Sequence, residues 1–340
     1  MNDFYSLSSA DQGRAYELLA GAALHRWGIN EAKLTLIKMR ENAVFGVEQP
    51  GGEKFALRIH RAGYHSDAEL RSELQWMAAL DAAGISTPAV QPTLTGELFD
   101  TVSIASVPEP RQVDLLAWID GEAMGTIEEG IEASANDIAV NYRKLGKLAG
   151  RLHRFSSEWA VPEGFTRHHW DVEGLVGEQP VWGRFWENER LTGEERGLIA
   201  EAREIIRAQL IEFGRSERNY GLIHADFLPE NVVIEGDNPQ LIDFDDAGYG
   251  WFMFELATSL FVLLGEPHFD EALGAYVEGY RSEHELPDED LAYLPFFIMA
   301  RLFTYLGWMH TRGVTEEMED IAAVIIEAAV AVASDIVDGG

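Results

Sequence analysis

Apolar residues near the start of the chain recur at the spacing of a helix with one buried face. This pattern predicts a helix over residues 13–28 that ends at Gly28, because glycine readily takes the left-handed conformation that stops a helix. Three β-rich segments follow, at 34–40, 43–49 and 53–60. The turn Pro50–Gly52 separates the last two, so the three segments are predicted to form an antiparallel sheet.

A second predicted helix follows this sheet and has a clear start signal. Ser66 stands three residues before Glu69, the spacing of a capping box in which each side chain binds the other residue's backbone N–H. Gly84 ends the apolar periodicity. Residues 88–119 contain further short strand-like pieces. This part of the chain is therefore predicted to be an antiparallel sheet with a helix packed on it.

Helical periodicity dominates the remainder of the chain. The predicted helical regions are 137–159, 192–213, 251–265, 269–281 and 288–336. One β-like stretch interrupts them, GLIHADFLPENVVIEGDNPQLIDFDD at 221–246, with short strands expected at 220–223 and 240–242. The change of pattern predicts two domains, an N-lobe over 1–116 and a C-lobe over 117–340.

Composition narrows the class of protein. The chain has 340 residues, 46% hydrophobic and 25% charged, which is typical of a globular protein large enough for two lobes. A formal net charge of −32 argues against nucleic acid and anionic membrane surfaces as partners, because phosphate binding needs clustered Lys and Arg. The absence of cysteine excludes disulfides, thiolate metal sites and cysteine nucleophiles. The N-terminal residues show no secretory signal, and no apolar stretch resembles a membrane span, so a cytoplasmic location is expected.

The stretch 221–246 carries the residues that predict a reaction. Its strands deliver His224 and Asp226 to one loop and Asp243 to another, and Asn231 stands five positions after Asp226. Phosphoryl transfer from ATP needs a carboxylate to accept a hydroxyl proton and oxygen ligands for Mg²⁺. The pattern H-x-D-x-x-x-x-N followed by D-F therefore predicts Asp226 as the base, with Asn231 and Asp243 as metal ligands. An ordinary turn with capping Asp and Asn would explain any one of these residues but not all of them.

The β-rich half is predicted to bind the nucleotide. Arg58, in Phe-Ala-Leu-Arg, occupies the place where kinases carry a strand lysine, and its fixed charge can hold a phosphate. Glu73 is predicted as its partner in preference to Glu69, because Glu73 lies one turn deeper in the following helix. The turn ENAVFG at 41–46 stands where a glycine-rich phosphate loop is expected but lacks its glycines, so its backbone, with Asn42, is predicted to cover the phosphates.

Taken together, these segments resemble the aminoglycoside phosphotransferase-like family, the small-molecule branch of the protein-kinase-like fold. The likeness is carried, within residues 41–257, by ENAVFGVE, FALRIHRAGYHSDAELRSELQWMAAL, DLLAWIDG, GLIHADFLPENVV and LIDFDDAGYGWFMFELA. It implies an α+β bilobal fold with an antiparallel-sheet N-lobe and a mainly helical C-lobe. It also implies adenine held by the backbone of the lobe connection near Leu116 and Trp118. The residues matching the family's catalytic aspartate and metal ligands are Asp226, Asn231 and Asp243.

Departures from the family and from protein kinases refine this expectation. Arg58 stands where many members have lysine, which changes the geometry of the phosphate contact, and Glu255 stands where aspartate usually precedes Leu-Ala, with a structural role expected. Leu228 occupies the place of a lysine found in Ser/Thr protein kinases, and no long activation segment follows Asp243. Peptide-kinase machinery of the usual kind is therefore missing, although a stress-response kinase of this branch resembles the pattern and is thought to act on protein hydroxyls.

The sequence thus predicts an ATP- and Mg²⁺-dependent phosphotransferase acting on a hydroxyl of a small molecule, such as an amino alcohol, a hydroxy amino acid or an aminoglycoside-like compound. The acidic surface favours a cationic acceptor, and Asp245, Asp246 and the stretch around Trp308 are candidates to line its pocket. Three alternatives stay open: an atypical Ser/Thr protein kinase, a nucleotide-binding pseudokinase, and a metal-dependent hydrolase built on the same His/Asp cluster. Monomer and homodimer are both compatible with the sequence.

Overall fold

The structure of the protein, a computed structural model, describes residues 4–40, 42–125, 135–236, 238–314 and 319–339. The chain divides into two compact units. The first comprises Met1–Gly121 and Val161–Thr166, and the second comprises Glu122–Ala160 and Arg167–Gly340. The sequence placed the division after residue 116, whereas the units divide after Gly121 and residues 161–166 return to the first.

The first unit is an antiparallel sheet with helices. Its described elements are α1 (Ser9–Leu24), β1 (Lys33–Met39), β2 (Ala43–Glu48), β3 (Lys54–Ile59), α2 (Asp67–Ala82), β4 (Asp100–Val102) and β5 (Arg111–Ala117). The strand order is β1-β2-β3-β5-β4, and each neighbouring pair is antiparallel. Alternate residues of β2, namely Ala43, Phe45 and Val47, enter a core that also contains Leu19 and Ala23 of α1. This period of two is the one expected of a sheet with one buried face.

Helix α2 begins at the predicted capping box. The Ser66 hydroxyl accepts the Glu69 N–H at 3.3 Å, and the Glu69 carboxylate accepts the Ser66 N–H at 2.8 Å. With the first turn held in this way, Leu70, Glu73 and Met77 fall on one buried face of the helix. Glu73 is thereby directed into the unit, while Glu69 is used at the helix end.

The second unit is mainly helical. Its described elements are β6 (Glu122–Ala123), α3 (Ala135–Glu158), β7 (His169–Trp170), α4 (Val172–Val176), α5 (Gly193–Phe213), β8 (Tyr220–Ile223), β9 (Val232–Glu235), β10 (Asn238–Leu241), β11 (Gly248–Trp251), α6 (Phe252–Leu260), α7 (Phe269–Arg281), α8 (Asp288–Leu291), α9 (Leu294–Arg312) and α10 (Glu319–Gly339). Two three-stranded sheets, β10-β9-β6 and β7-β11-β8, lie among the helices. Among the helices that the structure describes, none has both the length and the apolarity needed to cross a bilayer.

Two details of this unit were not predicted, namely how the C-terminal helical region is divided and the presence of strand β11. The region 288–336, predicted as helical, contains the helices α8, α9 and α10, and α9 ends at Arg312, before Gly313, which has a positive φ of 78°. The strand β11 was missed because its sequence, Gly-Tyr-Gly-Trp, looks like a turn. A Cβ on Gly248 would lie 2.6 Å from the backbone carbonyl oxygen of His168, so glycine is required there for the close approach of the segment that leads into β7.

Candidate active site

The loop that follows β8 is held by one buried carboxylate. Glu255 of α6 accepts the backbone N–H of His224 at 2.7 Å and that of Ala225 at 2.8 Å. Ala225 has a φ of 64°, in the left-handed region that residues with a side chain rarely adopt. The two hydrogen bonds to a charged acceptor stabilise this strained conformation. Glu255 therefore has a structural role, as expected from the sequence, and it holds the loop that carries Asp226.

The imidazole of His224 forms hydrogen bonds that stabilise the same loop. Its Nε2 lies 2.9 Å from the carbonyl oxygen of Ile242, and its Nδ1 lies 3.3 Å from the backbone N of Asp226. One tautomer satisfies both contacts, with Nε2–H donating to the carbonyl and Nδ1 accepting the Asp226 N–H. This arrangement ties the loop to the segment that leads to Asp243, and it gives His224 a role in shaping the loop.

The Asp226 carboxylate is held by a donor on each oxygen. Asn231 Nδ2 donates to Oδ2 at 2.7 Å and to the Asp226 carbonyl at 2.9 Å. Arg301 Nη2, from α9, donates to Oδ1 at 2.5 Å. These contacts set the plane of the carboxylate. The Asp226 side chain is 17% exposed, so it is accessible to an acceptor hydroxyl.

The electrostatic surroundings of Asp226 suit a general base. Burial raises the pKa of its carboxyl to about 7, and the neighbouring carboxylates of Asp246 and Asp243 add to the rise. The Arg301 guanidinium opposes this shift, because it favours the ionised form. A base whose pKa lies near the working pH is the kind that general acid–base catalysis requires.

Asn231 and Asp243 lie on neighbouring loops and offer oxygen atoms. The Ile242 N–H donates to the Asn231 carbonyl at 2.9 Å, which ties the end of β10 to the Asn231 loop. Because the Asn231 amide N–H₂ is used by Asp226, its Oδ1 is the atom suited to a cation. Asp243 contributes a carboxylate from a left-handed backbone position, with φ of 63°, which aspartate tolerates better than most residues. One amide oxygen and one carboxylate are ligands that fit Mg²⁺.

An acidic and aromatic wall lies near Asp226. Asp246, predicted as pocket lining, is close enough for its charge to raise the pKa of Asp226, and its Oδ1 accepts the indole N–H of Trp182 at 3.1 Å. Trp182 meets the ring of Tyr305 edge to face at 5.9 Å. Trp308, also predicted as lining, lies three residues after Tyr305 on α9 and is half-buried, and its place in the pocket stays a prediction. The carboxylate of Asp246 suits a small cationic molecule, whereas the rings of Trp182 and Tyr305 already pack against the Arg301 guanidinium.

In the first unit, Arg58 lies in a buried cluster of charges. Its Nε and Nη2 donate to the two carboxylate oxygens of Asp114, at 2.9 and 2.7 Å. Glu73 Oε1 lies 2.9 Å from the same Nη2, so the pairing expected for Glu73 rather than Glu69 is present. His60 Nε2 lies 2.8 Å from Asp114 Oδ2. Arg58 is thus engaged by two carboxylates, where the sequence predicted one.

Asp114 is the residue of this cluster that the sequence analysis missed. It stands directly opposite Arg58 in the register of β3 and β5. Burial alone would raise the pKa of its carboxyl, but the charges and hydrogen bonds of Arg58 and His60 outweigh that effect and lower the pKa to about 2. A single aspartate inside the apolar strand sequence VDLLAW was the available signal, because buried charges are paired.

We expect Arg58→Lys to lower the free energy of unfolding of the first unit by about 2 kcal/mol, because an ammonium cannot reproduce the bidentate contact with Asp114 and also reach Glu73. Urea denaturation measures the change. The matched control is Arg71→Lys on α2, whose pair with Glu97 is exposed and should matter by less than about 0.5 kcal/mol. Equal stability of the two variants would contradict the prediction.

The other predicted nucleotide-binding residues also lie in the first unit. The side-chain oxygen of Asn42 accepts the backbone N–H of Arg61 at 3.2 Å, so this residue joins the start of β2 to the end of β3. Leu116 is buried in β5 opposite Ala56, and Trp118 is half-buried just after the strand. Position 41, the first of the predicted phosphate-covering turn, lies outside the described residues. Nucleotide contacts by these residues stay predictions.

The combination of an antiparallel-sheet unit, a helical unit and the Asp226 loop defines a phosphotransferase of the protein-kinase-like fold, as the sequence predicted. Comparison with known families agrees. The chain belongs to the phosphotransferase enzyme family, whose model matches residues 33–293. It is therefore an enzyme that transfers a phosphoryl group to a hydroxyl acceptor, and the hydrolase considered from the sequence is set aside.

Known relatives point to small-molecule kinases. The structure of a microcompartment-associated aminopropanol kinase has a TM-score of 0.82 and 31% identity, and the match covers 95% of this chain and 98% of that one. Amicoumacin kinase of Bacillus subtilis is 23% identical over 304 residues, 86% of this chain and 84% of the relative. A solved amicoumacin kinase, in complex with AMP-PNP, Ca²⁺ and Ami, matches with a TM-score of 0.74 and 20% identity over 97% and 95% of the two chains. The expected fold class is confirmed.

Proposed function

We propose that this protein transfers the γ-phosphoryl group of ATP to the hydroxyl of a small amino alcohol. The observation that carries the proposal is the Asp226 carboxylate, which is oriented by donors on both oxygens and yet is accessible. The likeness to an aminopropanol kinase supports an amino alcohol as the acceptor. A nucleotide with a divalent metal as cofactor is in keeping with the relatives, and Mg²⁺-ATP is the form proposed here.

In the proposed reaction, the second unit supplies the base, the metal ligands and the carboxylate that holds the loop. Bound Mg²⁺-ATP supplies the phosphoryl group and neutralises its charge. Asp226 orients the acceptor hydroxyl and accepts its proton, while Asn231 holds the carboxylate through its N–H₂ and offers its oxygen to the metal. Asp243 is the second proposed metal ligand. Glu255 keeps the loop in place through two backbone N–H groups.

The first unit is proposed to bind the nucleotide. Arg58, fixed by Glu73, is the proposed phosphate contact, and Asn42 belongs to the turn that would cover the phosphates. The backbone near Leu116 and Trp118 is the proposed site for adenine. These roles rest on the resemblance in sequence and on the burial of Arg58 among carboxylates, an arrangement that keeps its side chain in one conformation.

The charge near the base favours an ammonium group on the acceptor. The Asp246 carboxylate is near enough to that of Asp226 for its charge to raise the pKa of Asp226. A protonated amine gains from the attraction of these negative charges, whereas a neutral alcohol gains only a hydrogen bond. An amino alcohol carries the required hydroxyl and the favoured charge in one small molecule.

The test is acceptor-dependent ADP release with Mg²⁺-ATP across amino alcohols, hydroxy amino acids, diols and aminoglycosides. We expect 1-amino-2-propanol to be used at least about tenfold better, in kcat/KM, than 1,2-propanediol, its neutral counterpart. A preference for the diol would contradict the cationic acceptor but leave the transfer reaction standing. ATP binding without turnover on any acceptor would favour a pseudokinase, and turnover only on protein hydroxyls would favour an atypical protein kinase.

Asp243→Asn is expected to raise the dissociation constant for Mg²⁺-ATP by about tenfold or more, because the variant loses the only charged ligand proposed for the metal. Asparagine keeps the left-handed backbone at this position, so the loop is preserved. Isothermal titration with Mg²⁺-ATP, and with ATP in the presence of a chelator, measures the change. If the variant and the wild type bind Mg²⁺-ATP equally, Asp243 is not a metal ligand.

A further inference from the structure

Helix α9 carries a fully buried arginine in an apolar stretch, FFIMARLF. Arg301 has 0% exposure, and its nearest charged partner is Asp226, at 2.5 Å between Nη2 and Oδ1. Its Nη1 also donates to the carbonyl of Ala225 at 3.1 Å. The guanidinium therefore contacts both the proposed base and the residue before it. A buried arginine is costly unless it is paired, so its presence here needs an explanation.

Aromatic rings hold the guanidinium on several sides. Its central carbon lies 4.7 to 5.9 Å from the ring centroids of Tyr305, Trp182, Phe261 and Phe254. These rings belong to α9, α6 and two connecting segments. A cation packed against so many rigid rings has little freedom to change rotamer, and ring faces favour its charge. The guanidinium is thus held in one position, and the Asp226 carboxylate is bound to it by a hydrogen bond.

We propose that Arg301 is a positioning residue for the transfer reaction, which holds Asp226 in the orientation that receives the acceptor hydroxyl. The inference rests on the proposed function, in which Asp226 is the base. With Oδ1 bound to Arg301 and Oδ2 bound to Asn231, the lone pairs that point away from these donors are the ones left for the hydroxyl.

The contact with Arg301 lowers the basicity of the Asp226 carboxylate but fixes its position. An arginine on Oδ1 makes the carboxylate a weaker base, which would be a disadvantage if full proton transfer limited the rate. In phosphoryl transfer the transition state is loose, and most of the catalytic effect comes from positioning the reactants. A fixed carboxylate therefore serves this reaction better than a more basic but mobile one. Both the volume and the planar fork of arginine are needed for the role.

The test compares Arg301→Lys and Arg301→Met with the wild type in kcat, KM for the acceptor and dissociation constant for Mg²⁺-ATP. We expect kcat to fall by about 10²-fold in both, since a displacement of the base of about 1 Å has that effect, while Mg²⁺-ATP affinity changes by less than about threefold. Lysine keeps the charge but not the fork, so it should not rescue. The matched control is Arg143→Lys, an exposed arginine of α3 paired with Glu278, which should leave kcat unchanged.

Chemical rescue separates positioning from general support of the fold. In Arg301→Ala, added guanidinium should raise kcat in a saturable way, whereas urea, which has the same planar shape without the charge, should not. No rescue should occur when Asp226 is also changed to asparagine. Rescue by urea and guanidinium alike would mean that Arg301 only fills space, and that result would overturn the inference.

The remaining outcomes are also decisive. Wild-type kcat in the Arg301 variants, with turnover intact in the wild type, overturns the positioning role alone. Loss of Mg²⁺-ATP binding in the Lys, Met and Ala variants of Arg301 would show that Arg301 supports the fold, and it would also overturn the positioning role. Absence of turnover by the wild type on every acceptor overturns the proposed function, and the role of Arg301 in transfer falls with it.

Discussion

Replacing Asp226 with asparagine should lower kcat by about 10²- to 10⁴-fold, while the dissociation constant for Mg²⁺-ATP stays within about twofold of the wild type. The amide keeps the shape of the carboxylate but cannot accept a proton from the acceptor hydroxyl. Asn231 and Asp243, the proposed metal ligands, are unchanged. Steady-state kinetics with the best acceptor and isothermal titration with Mg²⁺-ATP measure the two quantities.

A control for Asp226→Asn has to separate the loss of the base from a loss of stability. Asp226→Asn leaves the buried guanidinium of Arg301 without its ion pair, which costs about 3 kcal/mol or more. The double variant Asp226→Asn with Arg301→Met removes both charges and should recover much of the stability. It should recover none of the activity. If activity returned together with stability, Asp226 would be a structural residue rather than the base.

The local motifs were the part of the site that the sequence could predict. His224, Asp226 and Asn231 lie within eight consecutive positions, and their spacing is enough to place them in one loop. The capping box at Ser66 and Glu69 is equally local, and from it the depth of Glu73 in the helix could be judged. Short-range patterns of this kind report geometry directly, because few backbone conformations connect such close positions.

The partners that complete the site could not be found in the same way. Arg301 follows Asp226 by 75 positions, and Asp114 follows Arg58 by 56. Each contact depends on how elements pack, which hydrophobic periodicity does not specify. Each residue did leave one weak signal, a lone charge inside an apolar run, which indicates a buried partner without identifying it. The strand β11 was missed for a related reason, because its glycines serve a close approach that only the fold reveals.

Glu255 is the other residue whose replacement should have a large effect. Its two oxygens accept the backbone N–H groups of His224 and Ala225, and all three residues are buried. In Glu255→Gln, one oxygen becomes an N–H₂ group that faces a backbone N–H, so that N–H is left without an acceptor. An unsatisfied buried donor costs about 1–3 kcal/mol, and the charge of the acceptor is lost as well.

The expected result for Glu255→Gln is a fall in kcat of about 10²-fold together with a loss of about 3 kcal/mol in the free energy of unfolding. Ala225 is in a strained left-handed conformation, and we expect it to relax once the clamp is weakened, moving the neighbouring Asp226. Steady-state kinetics measures the change in kcat, and urea denaturation measures the change in the free energy of unfolding. Glu255→Asp is the matched control, since it keeps the charge but is one methylene too short to reach both N–H groups, and intermediate values are expected.

A second substitution shows whether strain links the clamp to the base. Ala225→Gly removes the Cβ that makes the left-handed conformation costly, by about 1 kcal/mol, and leaves the hydrogen bonds of the loop unchanged. Combined with Glu255→Gln, it should recover part of the lost kcat, because the loop can then keep its shape with a weaker clamp. If the double variant is no more active than Glu255→Gln alone, the carboxylate acts through its charge near Asp226 rather than through the conformation of Ala225.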